Sequence, residues 1–179
     1  MQTAPPSMTF GDSGSAIAGS GAPHQHLRLA LRAESYAVPI EAVREILEVG
    51  RLTVLPCTPD FVRGVLNLRG AVVPIIDLAA RFGRGATEIG RRTCIVVVDV
   101  HGHGDERDHI LGALVDAVYE VFDVPAESLE AVPPLGTSIP AEFLGGIARV
   151  RGEAVPVLSL DSALAPATLA DLIAHTTVS

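Results

Sequence analysis

Tryptophan and lysine are both missing from this chain, and aromatic residues make up only 4% of it. A core without large rings must be assembled from Val, Ile, Leu and Ala. The 48% hydrophobic content of the 179 residues supplies enough of them for one compact domain or two small, closely packed ones. With no lysine, all thirteen basic residues are arginine, which reads as codon bias. Set against 21 acidic residues, they leave a net charge of −8. That balance argues against a nucleic-acid partner, whose phosphates need a basic face. There are two cysteines, Cys57 and Cys94, without metal or redox spacing, so no disulfide framework is expected and a reducing, cytoplasmic setting fits. No apolar run reaches the roughly 18–20 residues that span a bilayer, and the first ten residues carry no basic charge for a secretory signal.

Catalytic patterns are scarce too. The chain has no G-x-S-x-G elbow, no phosphate-cradling glycine loop followed by lysine, and no H-E-x-x-H. Gly102, Gly104 and Gly112 do not make a dinucleotide fingerprint. The densest set of ligand-type residues is His101, His103, Asp105, Asp108 and His109. Three imidazoles and two carboxylates within nine residues can bind a divalent ion, but the stretch is rich in turn-formers and reads as a solvated hairpin tip. No catalytic residue, metal or cofactor is assigned, and no enzymatic activity is expected.

What the chain does contain is one passage written twice. Residues 64–78 read GVLNLRGAVVPIIDL and residues 146–160 read GIARVRGEAVPVLSL, 82 positions later. Gly64 falls on Gly146, Arg69-Gly70 on Arg151-Gly152, and Pro74 on Pro156. A weaker echo sets Ala42–Ile46 against Ala117–Val121 at a spacing of 75. Two copies of one supersecondary unit imply paired subdomains that share a seam.

Residues 1–23, rich in Gly, Ser, Ala and Pro, are expected to form a disordered leader ahead of a folded domain at 24–179. Leu27, Leu29 and Leu31 alternate with Arg28, Ala30 and Arg32 as in a half-buried strand, with a turn expected at Glu34-Ser35. Ile40, Val43, Ile46 and Leu47 fit the 3.6-residue period, which predicts a short helix closed by Gly50. Strands are expected at Val62–Leu68 and Ala71–Leu78, joined at Arg69-Gly70. Pro74 implies an edge position or a bulge. Further strands are expected at Thr93–Val100 and Ile110–Val118, and a last helix from Pro166 burying Leu169, Leu172 and Ile173. Many short strands at spacings of about ten residues point to small β-barrels.

The sequence VREI (43–46), the run PDFVRGVLNLRGAVVPIIDLAARFG (59–83) and GALVDAVYEV (112–121) resemble the CheW family, the coupling proteins of bacterial chemosensory arrays. The likeness extends from about Leu27 to Ile173. The resemblance implies a mainly β fold of two SH3-like five-stranded barrels around a shared hydrophobic seam, with a few short helices. It also implies a non-catalytic adaptor that binds the cytoplasmic tip of a methyl-accepting chemoreceptor and the regulatory domain of the histidine kinase CheA. Such a protein would be cytoplasmic, monomeric when free, a ring member in membrane-associated arrays, and not itself inserted in the membrane. Receptor and kinase contacts carry over to Val43, Glu45, Arg69 and Val118, and a Glu45–Arg69 ion pair is expected. Two other readings stay open: the same adaptor in a pilus-motility or other sensory pathway, and a small-ligand-binding β-barrel.

Overall fold

The computed structural model describes residues 24–101, 108–133 and 138–164. The expected leader, the last helix from Pro166 and most of the His-rich loop fall outside them. Eleven strands run β1 His24–Leu31, β2 Glu34–Pro39, β3 Val43–Glu48, β4 Val62–Leu68, β5 Ala71–Asp77, β6 Cys94–His101, β7 Asp108–Val115, β8 Ala117–Val124, β9 Leu129–Glu130, β10 Leu144–Val150 and β11 Glu153–Leu158. Two short helices, α1 Leu78–Arg81 and α2 Leu160–Leu164, follow β5 and β11.

The strands form two sheets, ordered β8-β1-β2-β11-β10-β9 and β3-β6-β7-β5-β4. The second sheet uses one continuous stretch of chain from β3 to β7, inserted between β2 and β8 of the first. The two sequence copies therefore separate cleanly. The first supplies β3, β4 and β5 to one sheet, and the second supplies β8, β10 and β11 to the other. The hairpins β1–β2 and β6–β7 complete them through parallel pairings, Val157 with Ala37 and Ile75–Asp77 with Gly112–Leu114. Two β subdomains are thus present. One of them carries a sixth, two-residue strand, and among the described residues no pairing closes either sheet into a ring.

Each copy uses the same devices. Arg69-Gly70 (φ 53° and 89°) and Arg151-Gly152 (φ 51° and 83°) make two-residue turns with both centres left-handed, the geometry that suits the twist of a tight hairpin. Gly64 sits at a register shift with φ 141°, and a Cβ there would lie 2.5 Å from the carbonyl oxygen of Thr53, so only glycine fits. Pro74 is neither on an edge strand nor in the bulge. It precedes Ile75, where the ladder to β7 begins, so its missing N–H costs no strand pairing on that side.

Three further expectations are corrected. The segment predicted as a helix is a short 3₁₀ turn, Ile40–Ala42, followed by strand β3, whose residues alternate half-buried and exposed. Eight residues containing four apolar ones fit either period, and antiparallel pairing with β6 decides for the strand. The first hairpin turns at Arg32-Ala33 (φ 52° and 72°), not at Glu34-Ser35, and the Arg32 N–H donates to the Asp116 carboxylate. The strand expected at Ile110–Val118 is divided at Asp116 into β7 and β8.

The seam between the sheets is a packed core. Leu27, Leu29, Leu31 and Val38 meet Val96, Val98, Leu111 and Ile76 across it. Along β6 successive residues alternate between this central cluster and a second one, where Ile95 and Val97 join Val73, Ile75 and Leu114. That explains an unbroken Ile-Val-Val-Val run, because both faces of the strand are covered. Cys94 is half-buried beside the central core, and burial pushes its thiol pKa up, as for a small core residue.

Asp77 is fully buried and satisfied. It caps α1 by accepting from the Ala80 N–H (3.3 Å). It also accepts from Arg63 Nη1 (2.8 Å), the Thr87 N–H (2.7 Å) and Thr87 Oγ1 (2.7 Å). The loop held at Thr87 then reaches the other sheet. Arg84 Nη1 lies 2.6 Å from Glu34 Oε1, the Ala86 carbonyl accepts from Arg32, and Arg92 stacks 5.3 Å from the Tyr119 ring centre.

Candidate functional site: the outer strands and the first hairpin tip

Val43 and Glu45 lie on β3, and Val118 lies on β8. These are the outermost strands of their sheets and occupy equivalent places. Val43 pairs in register with Val98, and Val118 with Leu29. Both valines are half-buried and pack on the central cluster, so the structure brings them to one seam from opposite sheets. A register shift between Val43 and Glu45 resets the alternation: Glu45 pairs with Val97 and shares a face with Leu47, while Val43 and Ile46, opposite Val98 and Val96, face the central cluster. The helical reading also set Glu45 opposite Val43 and Ile46, and the shifted strand keeps that relation.

Arg69 stands at the tip of the β4–β5 hairpin, at the far side of the sheet from β3. Its guanidinium nevertheless meets Glu45 through two parallel bonds, Nη1 to Oε2 at 2.6 Å and Nη2 to Oε1 at 3.0 Å. The sheet must curl to bring its two margins this close. Asn67 Oδ1 accepts the Gly70 N–H at 3.0 Å and fixes the turn. Arg69 remains 72% exposed and Glu45 26%. Arg151, its counterpart in the second copy, makes no such pair among the described residues, and Glu120, the counterpart of Glu45, lies 3.6 Å from Arg28. The turn geometry thus belongs to both copies, and the ion pair to the first alone.

The two bonds from Arg69 hold the Glu45 carboxyl below its usual range, and Glu45 raises Arg69 in return. A carboxylate with a depressed folded-state pKa keeps its partner above the unfolded value and loses it as pH falls through the folded one. Carbon-detected NMR of Glu45 should therefore show titration below 4.5, moving back up in Arg69→Ala. A Glu45 midpoint indifferent to that substitution would mean the pair does not persist in solution.

Sequence reasoning missed the apolar surface beside these residues. Ile46 is 44% exposed and its equivalent Val121 is 45% exposed, one on each outer strand. The spacing-75 echo aligns them and carried the signal, but the helical reading had assigned Ile46 to a buried face. Val72, next to the Arg69 turn, is exposed as well. Among the described residues no cluster of three or more His, Cys, Asp or Glu could hold a metal, and no helix is long and apolar enough to cross a membrane.

A model of the CheW-like domain matches residues 25–167. The chain belongs to the CheW-like family. The chemotaxis protein CheW of Rhizobium meliloti is 35% identical over 129 residues, covering 72% of this chain and 79% of that protein. Protein FrzA of Myxococcus xanthus is 36% identical over 129 residues, covering 71% and 76%. The crystal structure of the scaffolding protein TtCheW from Thermoanaerobacter tengcongensis superposes with a TM-score of 0.68 at 33% identity, over 77% of this chain and 85% of that one. The two-subdomain β architecture is therefore that of a solved CheW-like scaffold.

Proposed function

We propose that this chain is a non-catalytic adaptor that couples chemoreceptors to the histidine kinase CheA. The observation that carries the reading is the CheW-like domain over residues 25–167, folded as two interleaved sheets like those of a scaffolding protein. Receptor and kinase contacts are assigned to Val43, Glu45, Arg69 and Val118. Arg69 and Glu45 supply an oriented, exposed charge pair. Val43 and Val118 support the surface from beneath, next to Ile46 and Val121. Apolar residues with a charged margin suit an amphipathic receptor helix.

Coupling of this kind is thermodynamic. An adaptor transmits a signal only if it binds the active and inactive states of its partners with different free energies. Weak pairwise contacts suffice, because a lattice adds them as avidity. The protein would be cytoplasmic and recruited to arrays at the membrane. The decisive experiment is co-sedimentation of the purified chain with receptor cytoplasmic fragments and the kinase, read together with kinase activity. Retention in the complex and receptor-dependent activation are expected. Failure to bind both partners would refute the assignment, and binding only to components of a pilus-motility system would move the same adaptor to that pathway.

A further inference from the structure

A cavity of about 520 Å³ opens where β1, β6, β9 and the start of α2 converge, and none of Val43, Glu45, Arg69 or Val118 lines it. Its apolar walls come from Pro39, Leu158, Leu160 and Leu129, the last 44% exposed. Three carboxylates line it, Glu41, Asp99 and Asp161, and no arginine does. Asp99 is held by Arg44 Nε at 2.9 Å, and Asp161 Oδ1 accepts the His101 N–H at 3.1 Å. Glu41 has no hydrogen-bonding partner among the described residues, so the cavity carries uncompensated negative charge.

His26 supplies an independent sign that something is meant to bind. Its side chain is buried, with the residue only 7% exposed, yet it lines the cavity. Nδ1 lies 3.2 Å from the His24 carbonyl oxygen, which can only accept, so that nitrogen carries the proton. Nε2 is a lone-pair acceptor without a partner among the described residues, and it is open to the cavity rather than sealed in the core. Desolvation lowers the pKa of the ring and favours this neutral form. His24 and His101 also face the cavity. Carboxylates and an unfilled imidazole acceptor, set in apolar walls, call for a ligand with several donors, positive charge and weak hydration.

We propose that this cavity receives the side chain of an arginine flanked by apolar residues on a partner protein. A guanidinium presents five donors in a rigid plane and can reach acceptors lying in different directions. It is also less strongly hydrated than an ammonium, so it enters apolar surroundings at lower cost. The flanking apolar residues would cover Leu129.

The test uses the full chain and a fluorescent twelve-residue peptide with one arginine between leucines, against the same peptide carrying citrulline, which has the shape without the charge. The arginine peptide should bind roughly tenfold tighter or more. In the double variant Glu41→Gln, Asp161→Asn the advantage should vanish. In His26→Phe both peptides should bind more weakly, because citrulline keeps N–H donors that Nε2 accepts, while the advantage of arginine should remain. Glu88→Gln, on an exposed loop outside the cavity, should change nothing. Equal binding of the two peptides overturns the proposal. So does an advantage that survives the double variant, because the overall acidity of the chain would then explain it. Binding that emerges only after removal of residues 1–23 or 165–179 also overturns it, by making the occupant a terminus of this chain.

Discussion

Replacing Asp77 by alanine should lower the stability of the folded chain by about 3–5 kcal/mol, the range found when a buried, hydrogen-bonded ion pair loses one partner. The carboxylate is wholly buried and accepts four bonds, from Arg63, Ala80 and twice from Thr87. Arg63 is partly exposed and can turn to water, but Thr87 is 2% exposed and its N–H and hydroxyl have nowhere else to go. Since small domains are stable by only about 5–15 kcal/mol, the alanine variant should unfold at a much lower urea concentration. Asp77→Asn keeps an acceptor for one or two of the donors and should cost less, about 1–3 kcal/mol. The same clamp anchors the loop that reaches Glu34, Arg32 and Tyr119 on the other sheet. Amide exchange across residues 84–92 should therefore accelerate even in Asp77→Asn. An alanine variant with an unchanged urea midpoint would show that the buried carboxylate contributes nothing to stability.

The duplicated hairpins were legible because they depend on residues that few backbones require. A glycine at the bulge and a left-handed Arg-Gly turn leave the same marks in both copies. The β6 strand was legible for a different reason: a run of β-branched residues covered on both faces has few other homes. Strand β3 was not legible. Ile40, Val43, Ile46 and Leu47 satisfy a helical period over eight residues, and only the distant partner β6 settles the matter. That misreading carried into the candidate site, since it hid the exposure of Ile46. The charges of Glu45 and Arg69 were enough to suggest their pairing, but its bidentate form depends on a curl of the sheet that no local pattern encodes. The Asp77–Arg63–Thr87 network was invisible because it ties a strand to a loop that has no periodicity of its own. The cavity beside His26 was equally hidden, being assembled from segments as distant as β1 and α2.

Arg69→Glu should abolish receptor-dependent kinase activation while the chain remains folded. The guanidinium is 72% exposed, so its loss removes little that holds the sheets together. The new carboxylate would face Glu45 across the 2.6–3.0 Å now spanned by two hydrogen bonds, and the two side chains must separate. An interface built around that pair would then meet a displaced Glu45 and a reversed charge, and affinity for the receptor or the kinase should fall about tenfold or more. The reciprocal double variant, Glu45→Arg with Arg69→Glu, separates two causes. It restores an ion pair at the same place with its polarity inverted. If the pair serves only to hold the hairpin tip against β3, coupling should return. If the partner reads the positive charge of Arg69 itself, coupling should stay lost while the thermal midpoint recovers. The second outcome is expected, because Arg151 adopts the same turn without a comparable pair among the described residues, so the tip does not need the bond to keep its shape. Full kinase activation by the single Arg69→Glu variant in reconstituted arrays would remove this residue from the interface.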